Sequence, residues 1–345
     1  MRKTRESPAK QESATVVDRR GFVKAAGAAA AGIALTELLG GAEARAQSRD
    51  AQGLIRMAKR ARIFDLSHTW DEASPIAGVN PPYSMSLNAT HAFPSDDPNG
   101  TRGTFDPDGQ LSFTSEVQAW SGQHGAPSID ALGHIGHNGF LFGGVDAAAA
   151  SSDARGLGRS GVGANLDIAH YPTDLLVNRG VLLDVARFVQ GNADPLPGAF
   201  NITGELLAET VRHQGVRLER GDTVLIRTGW GRHFTENPDL YKGDDAAGVG
   251  VSGAQFLVDR GARVVGNDTL TFEVRPPLAF PPETPLFQVF PVHMLLIPQN
   301  GINIIENYFL EEIAAAGEYE FLLVVPPLKI RGGTGSALRS FALVP

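Results

Sequence analysis

The stretch that decides the fold class is TGELLAETVRHQGVRLERGDTVLIRT, residues 203–228. Thr203 is a good N-cap residue and Gly215 is typical of a helix end, so a helix is predicted over 205–214. The run 223–228 is apolar and β-branched and follows Gly and Asp, which predicts a buried strand. A helix that leads directly into a buried strand is typical of an α/β protein.

The alternation continues on both sides of this stretch. Helices are also predicted at 254–260, capped by Ser252, and at 310–316, ended by Gly317. Residues 80–109 are rich in Pro, Asp, Asn and Gly and are predicted to form a long surface loop. With no internal repeat and no linker, we expect a single α/β domain with a substantial sheet. Further strands are predicted at 62–67, 111–120, 181–185, 264–267, 302–305 and 321–326.

Composition excludes several classes of protein. The 345 residues contain no cysteine, which rules out disulfide frameworks, cysteine-based zinc sites, iron–sulfur clusters and a thiol nucleophile. Hydrophobic residues make up 42% and charged residues 20%, so the chain is neither disordered nor fibrous. The 40 glycines and 22 prolines favour a loop-rich β or α/β protein over a helix bundle.

Residues 1–46 have the features of a twin-arginine export signal in the right order. Arg19 and Arg20 precede a weakly apolar, Ala-rich run at 25–39, and the Ala-Arg-Ala at 44–46 offers a cleavage site. The alternative is an N-terminal helix of the mature domain. A membrane span is disfavoured, because the run is shorter than the roughly 20 apolar residues that a span requires.

Cleavage after residue 46 leaves 47–345 as the mature domain, which we expect in the periplasm or secreted. It removes eight of the 30 basic and five of the 38 acidic residues, so the net charge changes from −8 to −11. No basic stripe remains, and nucleic acid is therefore not expected as a partner.

The segment 121–137 brings three histidines and a carboxylate close together: His124, Asp130, His134 and His137. Imidazole and carboxylate groups suit a borderline divalent cation such as Zn²⁺ or Mn²⁺. Asp130 has two oxygens and can bridge two metal ions. On spacing alone, a solvated polar loop is the simpler interpretation.

A second polar cluster lies far downstream, at His293 and Glu306. Glu306 ends an otherwise apolar strand, where an unpaired charge is costly to bury. A bound metal ion would offset that cost. On spacing alone, a glutamate that faces water at a strand end is the simpler interpretation.

With these residues in order, the chain resembles the metal-dependent cyclase hydrolases, which include kynurenine formamidase and isatin hydrolase. Their signature, His-x-Gly-Thr-His-x-Asp-x-Pro-x-His or a variant ending Asp-Ala-Leu-Gly-His, corresponds to residues 124–134. The resemblance implies a single, sheet-rich β/β/α domain that is commonly oligomeric, and it runs from about residue 60 to the end. Other segments in family order are 64–67, 228–230, 266–269 and 332–336.

The resemblance also implies the roles of individual residues. His124, Asp130, His293 and Glu306 correspond to metal ligands, with Asp130 shared between two metal positions. His134 corresponds to a further active-site histidine, a candidate for acid/base catalysis or for binding a second metal ion.

Ser128 departs from the family pattern, because it stands where a histidine ligand is expected. A serine hydroxyl is a poor ligand for Zn²⁺ beside imidazole, so the first metal position is in question. The second position keeps Asp130, His293 and Glu306. Three protein ligands plus water is the usual open arrangement of a catalytic site.

These residues imply an exported metal-dependent hydrolase of a small amide, lactam, lactone or ester. Its expected cofactor is Zn²⁺ or Mn²⁺. In this hypothesis a metal-activated water attacks a carbonyl group, and His134 protonates the leaving group. One alternative is a periplasmic small-molecule-binding protein with an impaired metal site. Another is a serine hydrolase that uses Ser128 beside His124, although no Gly-x-Ser-x-Gly elbow occurs.

The export signal yields a direct test. Replacing Arg19 and Arg20 by Lys is expected to leave the precursor in the cytoplasm, since the paired arginines are the signal's defining feature. Cell fractionation followed by immunoblotting measures the distribution. Unchanged periplasmic delivery of the Lys-Lys variant would contradict the twin-arginine assignment.

Overall fold

The computed structural model describes residues 50–76, 82–89, 114–123, 125–152, 161–276 and 290–345. The chain separates into two units, one of residues 1–61 with Pro345 and one of residues 62–344. In the first unit, residues 50–60 are helical. The predicted signal and its cleavage point lie outside the described residues, so the boundary at residue 46 stays a prediction.

The second unit is built from short strands and helices. Its described strands are β1 (Arg62–Asp65), β2 (Ser84–Ala89), β3 (Ser115–Ala119), β4 (Ser128–Asp130), β5 (Phe140–Leu141), β6 (Val145–Asp146), β7 (Val177–Asp184), β8 (Asn201–Ile202), β9 (Thr223–Arg227), β10 (Gly248–Val249), β11 (Val264–Asn267), β12 (Asn303–Glu306), β13 (Glu320–Val324), β14 (Gly335–Ala337) and β15 (Phe341–Val344). Its described α-helices are α1 (Ala147–Ala150), α2 (Val185–Gln190), α3 (Gly204–Gln214), α4 (His233–Glu236), α5 (Pro238–Lys242), α6 (Val251–Arg260), α7 (Pro291–Asn300) and α8 (Glu311–Ala315).

Nine of these strands form one sheet, in the order β1-β15-β13-β7-β9-β11-β12-β4-β14. The four central strands β7, β9, β11 and β12 are parallel to one another. The outer strands join them antiparallel, β13 on one side and β4 on the other. Parallel strands need crossover connections, and helices lie between each successive pair along the chain. The predicted α/β, sheet-rich fold is confirmed.

The two faces of the sheet carry separate hydrophobic cores, because successive strand residues point to opposite sides. On β9, Val224 and Ile226 belong to the core that includes residues of α3, α6 and α7, whereas Leu225 belongs to the other core. On β12, Ile304 lies in the first core and Ile305 in the second. The helices therefore cover one face of the parallel strands.

The sheet is curled, so that its second face encloses a core of its own. Leu66 follows the first strand in the sheet order and Phe309 follows the seventh, yet Phe309 N donates a hydrogen bond of 2.9 Å to Leu66 O. Tyr308 likewise donates its hydroxyl hydrogen to Ser340 Oγ, 3.3 Å away, next to β15. The curl brings loops from distant strands to the ends of β12 and β4.

The helix over the deciding stretch forms as predicted. Thr203 Oγ1 accepts a hydrogen bond from Leu206 N at 3.2 Å, and Gly215 ends the helix in a left-handed conformation. The cap predicted at Ser252 is wrong, because α6 starts earlier, after Gly250. Ser252 lies inside the helix, and its Oγ accepts from the N–H of Gly204. Among the described residues, no helix is long and apolar enough to cross a bilayer.

One other prediction changes, and the predicted strand beside it is observed. The predicted loop at 80–109 contains β2, which pairs antiparallel with β3 in a separate two-stranded ribbon. The side chains of Met85 and Leu87 on this ribbon are about half exposed, so pairing rather than a buried face holds the strand. The predicted strand at 111–120 is observed as β3, with residues 111–113 outside the described part of the chain.

One buried ion-pair network joins the carboxyl ends of the parallel strands. Arg227 ends β9 and is 1% exposed, and it donates to Asp184 Oδ1 at 2.8 Å and to Glu311 Oε2 at 2.6 Å. Burial opposes the charge of Arg227, but the hydrogen bond to Glu311 and the charge of Asp184 outweigh it and raise the pKa of the guanidinium. The network ties β7, β9 and α8 together.

Removing this arginine should destabilise the fold strongly. Arg227→Met removes the buried partner of Asp184 and Glu311, which keep only the more exposed Arg187 and Arg232, and we expect a loss of about 3 kcal/mol in the free energy of unfolding. Arg212→Met, which removes only an exposed pair with Glu209, should change it by about 0.5 kcal/mol or less. Urea denaturation measures both variants. Equal effects would show that the buried network is not important for stability.

Candidate metal centre

Strand pairing places two carboxylates on one face of the sheet. Asp130 ends β4 and Glu306 ends β12, and these strands are antiparallel neighbours with Glu306 opposite Ser128. Directly opposite residues point to the same side, and so do residues two apart on one strand. Asp130, Ser128 and Glu306 therefore share a face. Ile304 in the helix-side core lies on it as well, so this is the face that the helices cover.

The start of α7 brings a histidine to the same place. Pro291 occupies the first turn, where its missing N–H costs no helical hydrogen bond. His293 follows in that turn and is 3% exposed. Glu273 holds both Val292 and His293 in place. Its Oε2 accepts a hydrogen bond from Val292 N at 2.9 Å, and its Oε1 lies 2.7 Å from His293 Nδ1.

Since Glu273 accepts a hydrogen from Nδ1, the other ring nitrogen of His293 is directed at the strand carboxylates. Nε2 lies 3.2 Å from Glu306 Oε1 and 3.8 Å from Asp130 Oδ2. One potential ligand atom from each of the three residues lies within 4.8 Å of the others, and all three residues are buried. The sequence placed these residues in two separate clusters, and the fold unites them.

The arrangement fits a divalent cation. Asp130 Oδ2 is buried and has no hydrogen-bond partner, although a buried polar atom normally has one. The donor set of one imidazole and two carboxylates suits Zn²⁺ or Mn²⁺. Glu273 supplies the carboxylate that typically orients a metal-binding histidine. Asp130, His293 and Glu306 can therefore hold one metal ion.

The close packing of charged groups shifts the pKa values of His293 and Glu306 when no cation is present. Burial opposes the charge of His293, but hydrogen bonds to Glu273 and Glu306 outweigh it and raise its pKa well above the ordinary value. Burial, with the nearby charge of Asp130, raises the pKa of Glu306 to about 7, although the hydrogen bond to His293 acts in the opposite direction. Protonation and metal binding involve the same side-chain atoms, so protons and metal should compete.

Glu273 was not recognised in the sequence as a site residue. It lies between Phe272 and Val274, and it is 1% exposed. The sequence pattern that could have identified Glu273 is the one that identified Glu306, an acidic residue among apolar ones. Its partner His293 is 20 residues away, and no motif spacing connects them.

His134 lies on the other side of Asp130. Its Nε2 is 3.8 Å from Asp130 Oδ1, while Oδ2 of the same carboxylate faces His293. The His134 side chain is 29% exposed, in contrast to the buried ligands. This histidine is accessible at the edge of the cluster, and its role in acid/base catalysis or in binding a second metal ion stays a prediction.

His124 lies outside the described residues, but the segments on either side of it are placed. Gly122 and Gly335 approach so closely that a Cβ on Gly122 would lie 2.6 Å from Gly335 O. Gly335 is the register partner of Asp130 on β14. Ser128 is buried, and its Oγ donates a hydrogen bond of 2.9 Å to Gln123 O. The loop before β4 is therefore packed against the sheet beside the carboxylates.

Two of the three tryptophans lie in an aromatic cluster. Trp70 has its ring centroid 4.6 Å from that of Tyr83 and 6.1 Å from that of Trp120, and it packs against a small core that contains Ala126. Trp230 is instead a core residue whose indole N–H donates to a main-chain carbonyl. The aromatic cluster thus adjoins the loop before β4.

The sequence model of the family described as "Putative cyclase" matches residues 64–274, more than half of the chain. The chain belongs to the cyclase family. Glu273 and the residues around Asp130 lie within the matched range, whereas His293 and Glu306 follow it.

Individual members of the cyclase family are similar to this chain. Isatin hydrolase of Roseibium aggregatum is 27% identical over 163 residues, which are 44% of this chain and 55% of that enzyme, so the match spans about half of its length. A crystal structure described as a novel cyclase has a TM-score of 0.67 at 26% identity and covers 84% of this chain and 89% of its own. Isatin hydrolase A from Labrenzia aggregata shares the fold, with a TM-score of 0.61 at 21% identity over 87% of this chain and 99% of its own.

The metal centre predicts unequal effects of two conservative substitutions. Asp130→Asn removes the charge of the carboxylate at the centre of the cluster and should strongly lower the bound metal. His170→Asn should leave it unchanged, because His170 pairs with Asp167 rather than with any member of the cluster. Elemental analysis of the purified variants gives the metal content. Equal content in both would remove Asp130 from the site.

Proposed function

We propose that this cyclase-family protein is a metal-dependent hydrolase of a small amide, lactam, lactone or ester. The observation that carries the proposal is the unpartnered, buried Oδ2 of Asp130, which lies 3.8 Å from His293 Nε2 in a set of metal-binding groups. The similarity to isatin hydrolase over 163 residues supports hydrolysis as the reaction. Zn²⁺ and Mn²⁺ are the proposed ions, on the chemistry of the donors.

Asp130, His293 and Glu306 would hold a divalent ion, which would supply Lewis-acid chemistry for the hydrolysis. Glu273 holds the His293 ring by accepting its Nδ1 hydrogen, so Nε2 stays directed at the two strand carboxylates. The ring orientation is thereby set before any ligand arrives.

His134 is the proposed proton donor to the leaving group. It lies close to Asp130 and is accessible, whereas the other groups of the cluster are buried. A proton on Nε2 can pass to the departing nitrogen or oxygen of the substrate, and general-acid catalysis of this kind contributes typically about 10²–10⁴-fold in rate. Asp130 Oδ1 lies 3.8 Å from this ring nitrogen.

The aromatic cluster of Trp70, Tyr83 and Trp120 is the proposed wall for an apolar part of the substrate. Amphipathic aromatic rings commonly line small-molecule sites. Export by the twin-arginine route, a periplasmic or secreted location and assembly into a homo-oligomer complete the proposal. The net charge of −11 in the predicted mature chain argues against nucleic acid as a partner.

The activity can be tested with two histidines of one segment. Metal-free protein is reconstituted with Zn²⁺ or Mn²⁺ and assayed on isatin, an N-formyl amide, a lactone and an ester. His134→Gln should lower kcat about 10²–10⁴-fold while the bound metal is retained. The matched control is His137→Gln, which removes only a hydrogen bond from Gln299 and should keep near-normal turnover.

Two outcomes would contradict the proposed function. Metal binding without turnover on any of these compounds would favour a small-molecule-binding protein, the role that the loss of a histidine at Ser128 suggests. Full activity of His134→Gln would remove that residue from the reaction.

A further inference from the structure

A cavity of about 470 Å³ adjoins β14, the edge strand of the sheet that pairs with β4. Gly335 on β14 lines this cavity and is the register partner of Asp130. Paired residues of antiparallel strands lie about 4.5–5.5 Å apart at Cα. Thr334 also lines the cavity, and its carbonyl oxygen accepts a hydrogen bond of 2.9 Å from Ala131 N. One strand spacing therefore separates the wall of the cavity from Asp130.

The wall of this cavity carries no charge and consists largely of main chain. None of the ten described lining residues is charged, and Lys329 and Arg331, on either side of Ile330 in the chain, are not among them. A charged group that entered would lose water without gaining an ion pair. The lining residues include five glycines: Gly122, Gly161, Gly332, Gly333 and Gly335.

The glycine wall is held rigidly by the rest of the fold. Gly332 N donates a hydrogen bond to Asp167 Oδ2 at 2.6 Å, and Gly333 O accepts one from Ile168 N at 2.8 Å. The main chains approach so closely that a Cβ on Gly161 would lie 2.3 Å from Gly332 O. The shape of the cavity is therefore set by the fold, as is usual for small-molecule sites.

Two apolar side chains complete the cavity, Trp120 and Ile330. Trp120 is half-buried, and its ring meets that of Trp70 edge to face, with centroids 6.1 Å apart and an interplanar angle of 87°. This is one of the favoured arrangements of aromatic pairs. Trp120 thus belongs both to the aromatic cluster and to the cavity, so the cavity continues the apolar surface beside the metal centre.

We propose that this cavity is a specificity subsite, which accepts a flat, uncharged, apolar group of the substrate and rejects a charged one. Trp120 and Ile330 are the side chains that determine this preference. The substrate class is thereby narrowed to amides, lactams, lactones or esters whose non-reacting part is neutral and apolar. This inference rests on the proposed function, because it assigns the cavity to the substrate of that reaction. A volume of about 470 Å³ lies within the range of about 300–1,000 Å³ that is typical of small-molecule sites.

Calorimetric titration of the purified full-length protein with indole tests the subsite without any assay of turnover. Indole is flat, uncharged and apolar, and one molecule is expected to bind per chain. Tryptamine adds an ammonium group to the same ring system and should bind at least about 10-fold more weakly, because the wall offers no countercharge. Trp120→Ala should weaken indole binding about 10-fold, since it removes the aromatic surface.

A matched pair of substitutions in one segment locates the binding. Ile330→Trp fills part of the cavity and should weaken indole binding at least about 10-fold, because the new side chain takes the same volume. Leu328→Trp is the control. Leu328 is 48% exposed against 39% for Ile330 and does not line the cavity, so indole affinity should stay within about twofold.

Inhibition kinetics connect the cavity with the reaction. For whichever of isatin, the N-formyl amide, the lactone and the ester is hydrolysed, indole should raise KM and leave kcat unchanged. The same concentration of indole should raise KM less in Ile330→Trp than in Leu328→Trp, because only the first substitution narrows the subsite.

The outcomes separate this proposal from the proposed function. Absence of indole binding, or equal affinity in wild type, Trp120→Ala and Ile330→Trp, would overturn the subsite even if a substrate is hydrolysed. Tryptamine that binds as tightly as indole would overturn the preference for an uncharged group, and indole that binds without raising KM would show that the cavity does not serve the substrate. Absence of turnover with all four compounds would instead overturn the proposed function and, with it, the assignment of the cavity to a substrate.

Discussion

Three carboxylates meet around one buried imidazole, and the balance of charge there is the constraint on which the site depends. Asp130, Glu273 and Glu306 are each less than a tenth exposed, and His293 lies among them. A single imidazolium cannot neutralise three carboxylates, and burial makes the remaining charge expensive. The pKa values of His293 and Glu306 are raised, so protonation of both groups is favoured when no cation is bound. A divalent cation supplies the missing positive charge.

The fold explains why such a cluster can form. β4 and β12 are short strands at one side of the sheet, and each ends in an acidic residue on the helix-covered face. α7 crosses from β11 to β12 and begins with its first turn over that face. The curl of the sheet then brings the segments after β1 and β12 together, which packs the loop before β4 into the same region. Each ligand therefore comes from a rigid element.

The parts of this arrangement that depend on local chemistry could be predicted from sequence. The helix capped by Thr203 and the buried strands follow from local patterns, and Asp130, His293 and Glu306 were named from the motif and its resemblance. That these three lie together depends on the pairing of β4 with β12, which no local pattern contains. The sequence could not show the long-range contact between Glu273 and His293 for the same reason. Helix α7 was not predicted from the sequence. It contains Pro291 and Pro298, and proline normally disfavours a helix. Pro291 is tolerated because it lies in the first turn, where no helical hydrogen bond is lost.

The most direct test of the account is calorimetric titration of Zn²⁺ or Mn²⁺ into metal-free protein at pH 6 and pH 8, in buffers of different ionisation enthalpy. Binding must displace the protons of His293 and Glu306, whose pKa values are raised, so affinity should increase with pH. Because the pKa of Glu306 is about 7, more protons should be released at pH 6 than at pH 8. One ion per chain is expected to bind with this proton release. Absence of binding at physiological metal concentrations, or binding without proton release, would contradict it.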